Sequence, residues 1–237
     1  MKEQTKESSS TLPLFGFLLA FVGVFLYIGG VFTPIGIKMY SQVSLANLSI
    51  VLGVFLAALS GYSLARPAAV GQAMRAFPRA NAPGYVLILA ATAWFLWNIK
   101  AEDMRDYREI KHWFYIGFGA VGIGSCIFLR DFLAVRGLAV FMLMLAKLML
   151  DTQRIYMLEA PEADMSGWRL VFAVWAYIII FMSMWMVISP WRMRDIMEWM
   201  LAKPVRLAAK GWFRLAFGIL LIVLGLTVFA IPDAAAN

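Results

Sequence analysis

Seven long apolar runs, separated by short polar stretches, occupy most of this chain of 237 residues. Wound into a helix, a run of roughly 20 apolar residues is as long as the hydrocarbon layer of a bilayer is thick. In lipid the backbone finds no water, so a spanning segment must satisfy its own N–H and C=O groups, and a helix does this internally. None of the runs shows the alternation of a membrane barrel strand. The pattern predicts an all-α, polytopic membrane helix bundle of about seven transmembrane helices, with six to eight compatible with the runs. The spans fall near 12–32, 45–64, 83–99, 113–129, 132–150, 168–189 and 212–231. They form one bundle over 12–231, between a polar tail at 1–11 and a short tail at 232–237. The first run is longer than a signal-peptide core and is read as a retained helix.

Composition agrees. Hydrophobic residues make up 62% of the chain and charged residues 15%, with a mean hydropathy of +0.78. Soluble domains hold about 45–50% apolar residues. The net charge of +7 does not point to nucleic acid, because the basic residues gather at the ends of the runs. Assigning all 21 Lys and Arg to the nearer end of a span puts 13 on the side of the amino terminus and 8 on the other. The positive-inside rule then places the amino terminus in the cytoplasm and the carboxyl terminus outside. Trp94, Trp97 and Trp113, and further along Trp168, Trp185, Trp191 and Trp212, are expected at the headgroup level.

The one cysteine, Cys126, and the one histidine, His112, exclude an internal disulfide, a thiolate metal site and bis-histidine haem ligation within one chain. No Walker loop, HExxH, GxSxG or dinucleotide fingerprint occurs. No cofactor, metal or catalytic residue is expected.

Two polar stretches resemble each other: 67–85, PAAVGQAMRAFPRANAPGY, and 190–212, PWRMRDIMEWMLAKPVRLAAKGW. Each has a Pro at a helix exit, a short amphipathic segment, a second Pro (Pro78, Pro204), and a Gly-aromatic pair opening the next helix. This is a weak hairpin repeat. Ser189-Pro190-Trp191-Arg192, Lys203-Pro204-Val205-Arg206 and the Gly-rich closing helix resemble a family of very small two-helix bacterial inner-membrane proteins with no assigned function. The resemblance covers about 188–231 and implies a bacterial inner membrane.

Small residues mark candidate packing faces. Ser49, Gly53, Ala57 and Gly61 recur every fourth residue, and Gly16, Gly23 and Gly30 every seventh. Small side chains at such spacings let helix backbones approach closely. Met193, Met197 and Met200 share one face of a helix expected to lie on the membrane surface. Beyond it Arg206, Lys210 and Arg214 recur every four residues, a basic stripe suited to anionic phospholipid at the cytoplasmic face. In the loop 100–112, Glu102, Asp106 and Glu109 share a helix face, but Arg105 and Arg108 between them make an ion-paired turn the simpler reading. Lys147 and Asp151 form an i,i+4 pair near the outer end of the fifth span, with Asn98 at the same depth. Either the lysine snorkels to the interface or the pair faces the bundle interior.

Three function classes follow: a non-catalytic scaffold, assembly factor or accessory subunit of a membrane complex; a small-solute transporter or channel; and a membrane enzyme acting on lipid through the outer carboxylates. The packing faces, short loops and missing catalytic motifs favour the first. Its partners are the bilayer, anionic phospholipid and another membrane protein.

Overall fold

The computed structural model describes residues 2–28, 43–101, 109–129, 131–159 and 167–230. Every regular element among these residues is helical: α1 (Lys2–Ile28), α2 (Leu45–Ala65), α3 (Pro67–Ala76) with a 3₁₀ turn at Phe77–Arg79, α4 (Asn81–Ala101), α5 (Lys111–Phe128), α6 (Leu133–Glu159), α7 (Arg169–Ile188), α8 (Trp191–Leu201) and α9 (Pro204–Thr227). Five of them, α2, α4, α6, α7 and α9, are long and apolar enough to cross a membrane. They correspond to the second, third, fifth, sixth and seventh expected spans. The other two are shorter. The apolar part of α1 runs over Pro13–Ile28, where the described residues stop. α5 has 18 residues, of which the first two are Lys111 and His112.

Local chemistry sets several boundaries. The Ser44 hydroxyl accepts from the Asn47 N–H at 3.1 Å and so caps α2. Pro67 and Pro204 stand in the first turns of α3 and α9, where a missing N–H costs nothing and the fixed φ suits a helix. α9 therefore starts at Pro204, well before the expected 212, and the basic residues Arg206, Lys210 and Arg214 belong to the spanning helix itself. At the other extreme α1 begins at Lys2, so 2–11 continues the first helix where a separate polar tail was expected. α6 likewise runs past 150 to Glu159.

Close contacts give the relative directions. α2 and α9 are antiparallel, with Gly225 against Ala46, Gly218 against Gly53 and Gly211 against Leu64. α4 and α6 are parallel: Gly84 meets Ala134, Gly137 meets Leu87 and Ile88, and Trp94 packs on Phe141 at 5.3 Å. α5 runs against α4, with Gly122 on Thr92 and Phe118 on Phe95 at 4.7 Å. α1 runs against α2 through Phe17–Tyr62 at 5.5 Å and Phe21–Phe55 at 4.5 Å. The end of α6 meets the start of α7 at Gln153–Arg169 and the end of α9 at Tyr156–Val228, so the long helices alternate in direction along the chain. Both short helices, α3 and α8, come to the same end and touch each other.

The core gathers around α6, the most buried of the five long helices, while α7 is the least buried. Phe21, Phe25, Trp94 and Phe141 form an aromatic cluster at one depth, and Tyr156, Phe172 and Phe229 form another. Trp94 is fully buried. The expectation that it marks the membrane surface is therefore corrected: its indole is core, lodged between α4 and α6. Trp113, Trp168, Trp185, Trp191 and Trp212 are exposed, as interfacial or lipid-facing indoles would be.

Candidate functional site: the basic end and the α2–α9 seam

The two stretches that resemble each other in sequence both fold as surface helices at one end of the bundle. There they collect Arg66, Arg75, Arg79, Arg192, Arg194 and Lys203. Prolines placed each helix break, and the amphipathic residues between them chose a face. Met197 and Met200 are buried. Leu201 lies against Gly71 of α3 and the Met200 sulfur against Lys210 of α9. The apolar face of α8 thus docks on its own protein, whereas the sequence pattern suggested a face turned to lipid.

The basic stripe divides. The Arg206 guanidinium donates to the Trp199 carbonyl at 2.9 Å and lies 4.3 Å from the centre of the Trp199 ring. The Lys210 ammonium sits 3.1 Å from the Met200 sulfur. Arg214 turns inward. Its Nε donates to the Ser60 hydroxyl at 2.8 Å, and its Nη2 donates to the Ser63 hydroxyl at 2.9 Å and towards the Leu59 carbonyl at 3.4 Å. Each serine hydroxyl in turn donates to its own helix, Ser60 to the Leu56 carbonyl at 2.6 Å and Ser63 to the Ser60 carbonyl at 2.8 Å. The hydroxyl protons are thereby committed within α2, and the free lone pairs are left to accept from the guanidinium. Arg214 is an interhelical clamp. The every-fourth-residue spacing had grouped it with two surface cations, and nothing in that spacing separates them.

On α2, Ser49, Gly53 and Ala57 lie against α9. The Ser49 hydroxyl donates to the Leu221 carbonyl at 2.9 Å. A Cβ on Gly53 would stand 2.6 Å from the Gly218 carbonyl oxygen, and one on Gly218 would stand 3.0 Å from the Ala57 nitrogen. Gly61 is the correction: space around it is open and it is exposed. A four-residue step overshoots a turn of 3.6 residues by about 40°, so by Gly61 the stripe has rotated off the side that meets α9. Gly16 and Gly23 of α1 also look into open space, and Gly30 lies outside the described residues.

Lys147 and Asp151 close on each other at 2.5 Å, with side chains 41% and 35% exposed. Asn98 is buried. It donates back to the Trp94 carbonyl at 3.0 Å and reaches the Met144 sulfur of α6 at 3.9 Å. Three polar residues that the sequence did not single out lie further along α6. Thr152 donates to the Leu148 carbonyl at 2.8 Å, Gln153 to the Arg169 carbonyl at 3.3 Å, and Tyr156 to the Val228 carbonyl at 3.3 Å. The Thr152 bond stays within α6, while Gln153 ties α6 to the start of α7 and Tyr156 ties it to the end of α9. Of the acidic loop, Glu109 is exposed, while Glu102 and Asp106 lie outside the described residues. Among the described residues no group of three His, Cys, Asp or Glu side chains is placed to hold a metal ion.

Comparison with protein families, curated proteins and solved structures brings no match.

Proposed function

We propose that the protein is a multi-pass membrane protein of seven crossings that serves as a non-catalytic scaffold or accessory subunit, receiving another membrane protein on α5. The observation that carries this is how the glycines are used. Gly53, Gly84, Gly122, Gly137, Gly211, Gly218 and Gly225 each meet a neighbouring helix so closely that a Cβ would collide. Gly117 and Gly119 of α5 face open space, among the exposed Trp113, Ile116, Phe118 and Val121. Ile110, Trp113, Phe114, Gly117, Phe118 and Val121 line a shallow groove there. Those seven glycines show that this chain makes close helix contacts through glycine, and an unpartnered glycine-bearing face beside an apolar groove suits a helix from outside.

A partner should therefore co-purify in stoichiometric amount from native membranes in mild detergent. Gly117→Leu should release it without changing the melting temperature of the purified chain, because the added side chain enters open space. A native chain that runs alone as a monomer would sink the scaffold reading. The buried Asn98, Thr152 and Gln153 near the Lys147–Asp151 pair favour the second reading, a small-solute transporter.

The alternating helix directions and the basic end shared by α3 and α8 support an amino terminus in the cytoplasm and a carboxyl terminus outside. The carboxyl-terminal hairpin resemblance supports a bacterial inner membrane, with anionic phospholipid at the cytoplasmic face. A reporter fused after Asn237 is expected to behave as periplasmic. Cytoplasmic activity of that fusion would require an even number of crossings.

A further inference from the structure

α3 and α8 touch but do not close on each other. Between them lies a cleft of about 420 Å³, with Arg75, Arg79, Arg194 and Glu198 among its lining residues. Arg75 and Arg79 are four residues apart, one at the end of α3 and one in the 3₁₀ turn that extends it. Arg194 and Glu198 are four apart on α8. All four line the cleft, so the two elements present their charges to one concavity. The cleft holds three guanidinium groups and one carboxylate.

The charges are not equivalent. Arg194 has acidic neighbours, Asp195 at 3.6 Å and Glu198 at 3.8 Å. Arg75 and Arg79 are exposed and have no ion-pair partner among the described residues. Beneath them the wall is apolar: Pro78 and Met197 are buried and Met74 is half-buried. Such a cleft offers two planar donor forks, an apolar wall and one acceptor carboxylate.

We infer that this cleft binds a phosphate group carried on an organic molecule, with Arg75 and Arg79 holding the phosphate oxygens. Guanidinium forks match phosphate oxygens two at a time, in a way an ammonium does not. The apolar wall of Met74, Pro78 and Met197 receives the carbons beside the phosphate. Glu198 accepts from a hydroxyl or amine of the same molecule. The cleft opens at the end of the bundle where basic residues meet the headgroup layer, so the phosphate is that of a lipid headgroup or of a soluble phosphate ester. The stripe of Arg206, Lys210 and Arg214 is not part of this site: those side chains already reach Trp199, Met200 and the α2 serines.

The test is calorimetric titration of the full chain in a neutral maltoside detergent. The probes are short-chain phosphatidylglycerol, glycerol phosphate and a short-chain diglyceride without phosphate. The native protein is expected to bind a phosphate-bearing probe and not the diglyceride. Arg75→Gln with Arg79→Gln should weaken binding by at least about tenfold, since two charge-assisted bonds are lost. Arg206→Gln should leave it unchanged. Binding of the lipid alone assigns a headgroup, and competition by glycerol phosphate at equal affinity assigns a soluble ester. Equal affinity in the native and doubly substituted proteins, or equal binding of the diglyceride, overturns the inference. Should the double variant melt early, Arg79→Lys keeps the charge without the fork. It is expected to bind more weakly than native protein at an unchanged melting temperature, and native affinity there overturns the inference equally.

Discussion

Gly53→Leu should lower the melting temperature in detergent more than any other single change on α2, while Gly61→Leu should leave it unchanged. The two glycines lie on one sequence stripe, yet their surroundings are opposite. At Gly53 the first added carbon already stands 2.6 Å from the Gly218 carbonyl oxygen and 2.7 Å from Ile222 Cγ1. One of those atoms is backbone, so no rotamer change relieves the clash, and α9 has to move away from α2. That movement also stretches the Ser49–Leu221 hydrogen bond of 2.9 Å. Overpacking of this kind costs about 1–3 kcal/mol and more where backbone is displaced. On the scale for chains of this length, about 3 kcal/mol corresponds to roughly 6–12 °C in Tm. Gly61 has nothing within 4 Å. Thermal denaturation of both variants decides the matter: equal melting curves would mean that α2 and α9 are not in close backbone contact.

Removing both Ser60 and Ser63 hydroxyls, as Ser60→Ala with Ser63→Ala, should destabilise by about 2–3 kcal/mol, since the charged Arg214 guanidinium then loses two hydroxyl acceptors. The charge sits about ten residues into α9, on the order of 15 Å along the helix from Pro204. An unpaired cation at that depth is costly. Adding Arg214→Met to the double variant should recover most of the loss, because removing both partners of a buried polar contact is far less damaging than removing one. The measurement is a melting series over native, double and triple variants. A triple variant no more stable than the double would show that Arg214 is hydrated or lipid-bound, and that the stripe Arg206, Lys210, Arg214 acts as one surface feature after all.

These variants separate what residue spacing can tell from what it cannot. Ser49, Gly53 and Ala57 were legible as a packing face because close helix contact requires small residues at one side, and the side is computable from 3.6 residues per turn. Gly16, Gly23 and Gly61 satisfy the same arithmetic and face open space. Periodicity says which residues share a face. It says nothing about whether a neighbour arrives there. Trp94 is the converse case. An indole near a span end suits the headgroup layer, but a helix from elsewhere in the chain, α6, covers this one and turns it into core.

The candidate anion cleft was hidden for a related reason. Arg75 and Arg79 are separated from Arg194 and Glu198 by more than a hundred residues. The sequence showed two similar Pro-bounded amphipathic stretches, and both fold as short helices between longer ones. That the turns abut depends on α2 pairing with α9 and α4 pairing with α6.

From sequence alone the apolar runs determined that the chain is helical and built of membrane-length segments. A spanning backbone must satisfy its own hydrogen bonds, and that demand is local. The prolines and the amphipathic segments determined where the chain turns and which end is basic, again through local sterics and charge. Tertiary structure alone decided which glycine faces are occupied, which cation points inward and which aromatic is core. Each of those outcomes depends on the helix that packs alongside, and in an apolar solvent close fit of one surface on another, more than hydrophobicity, selects that neighbour.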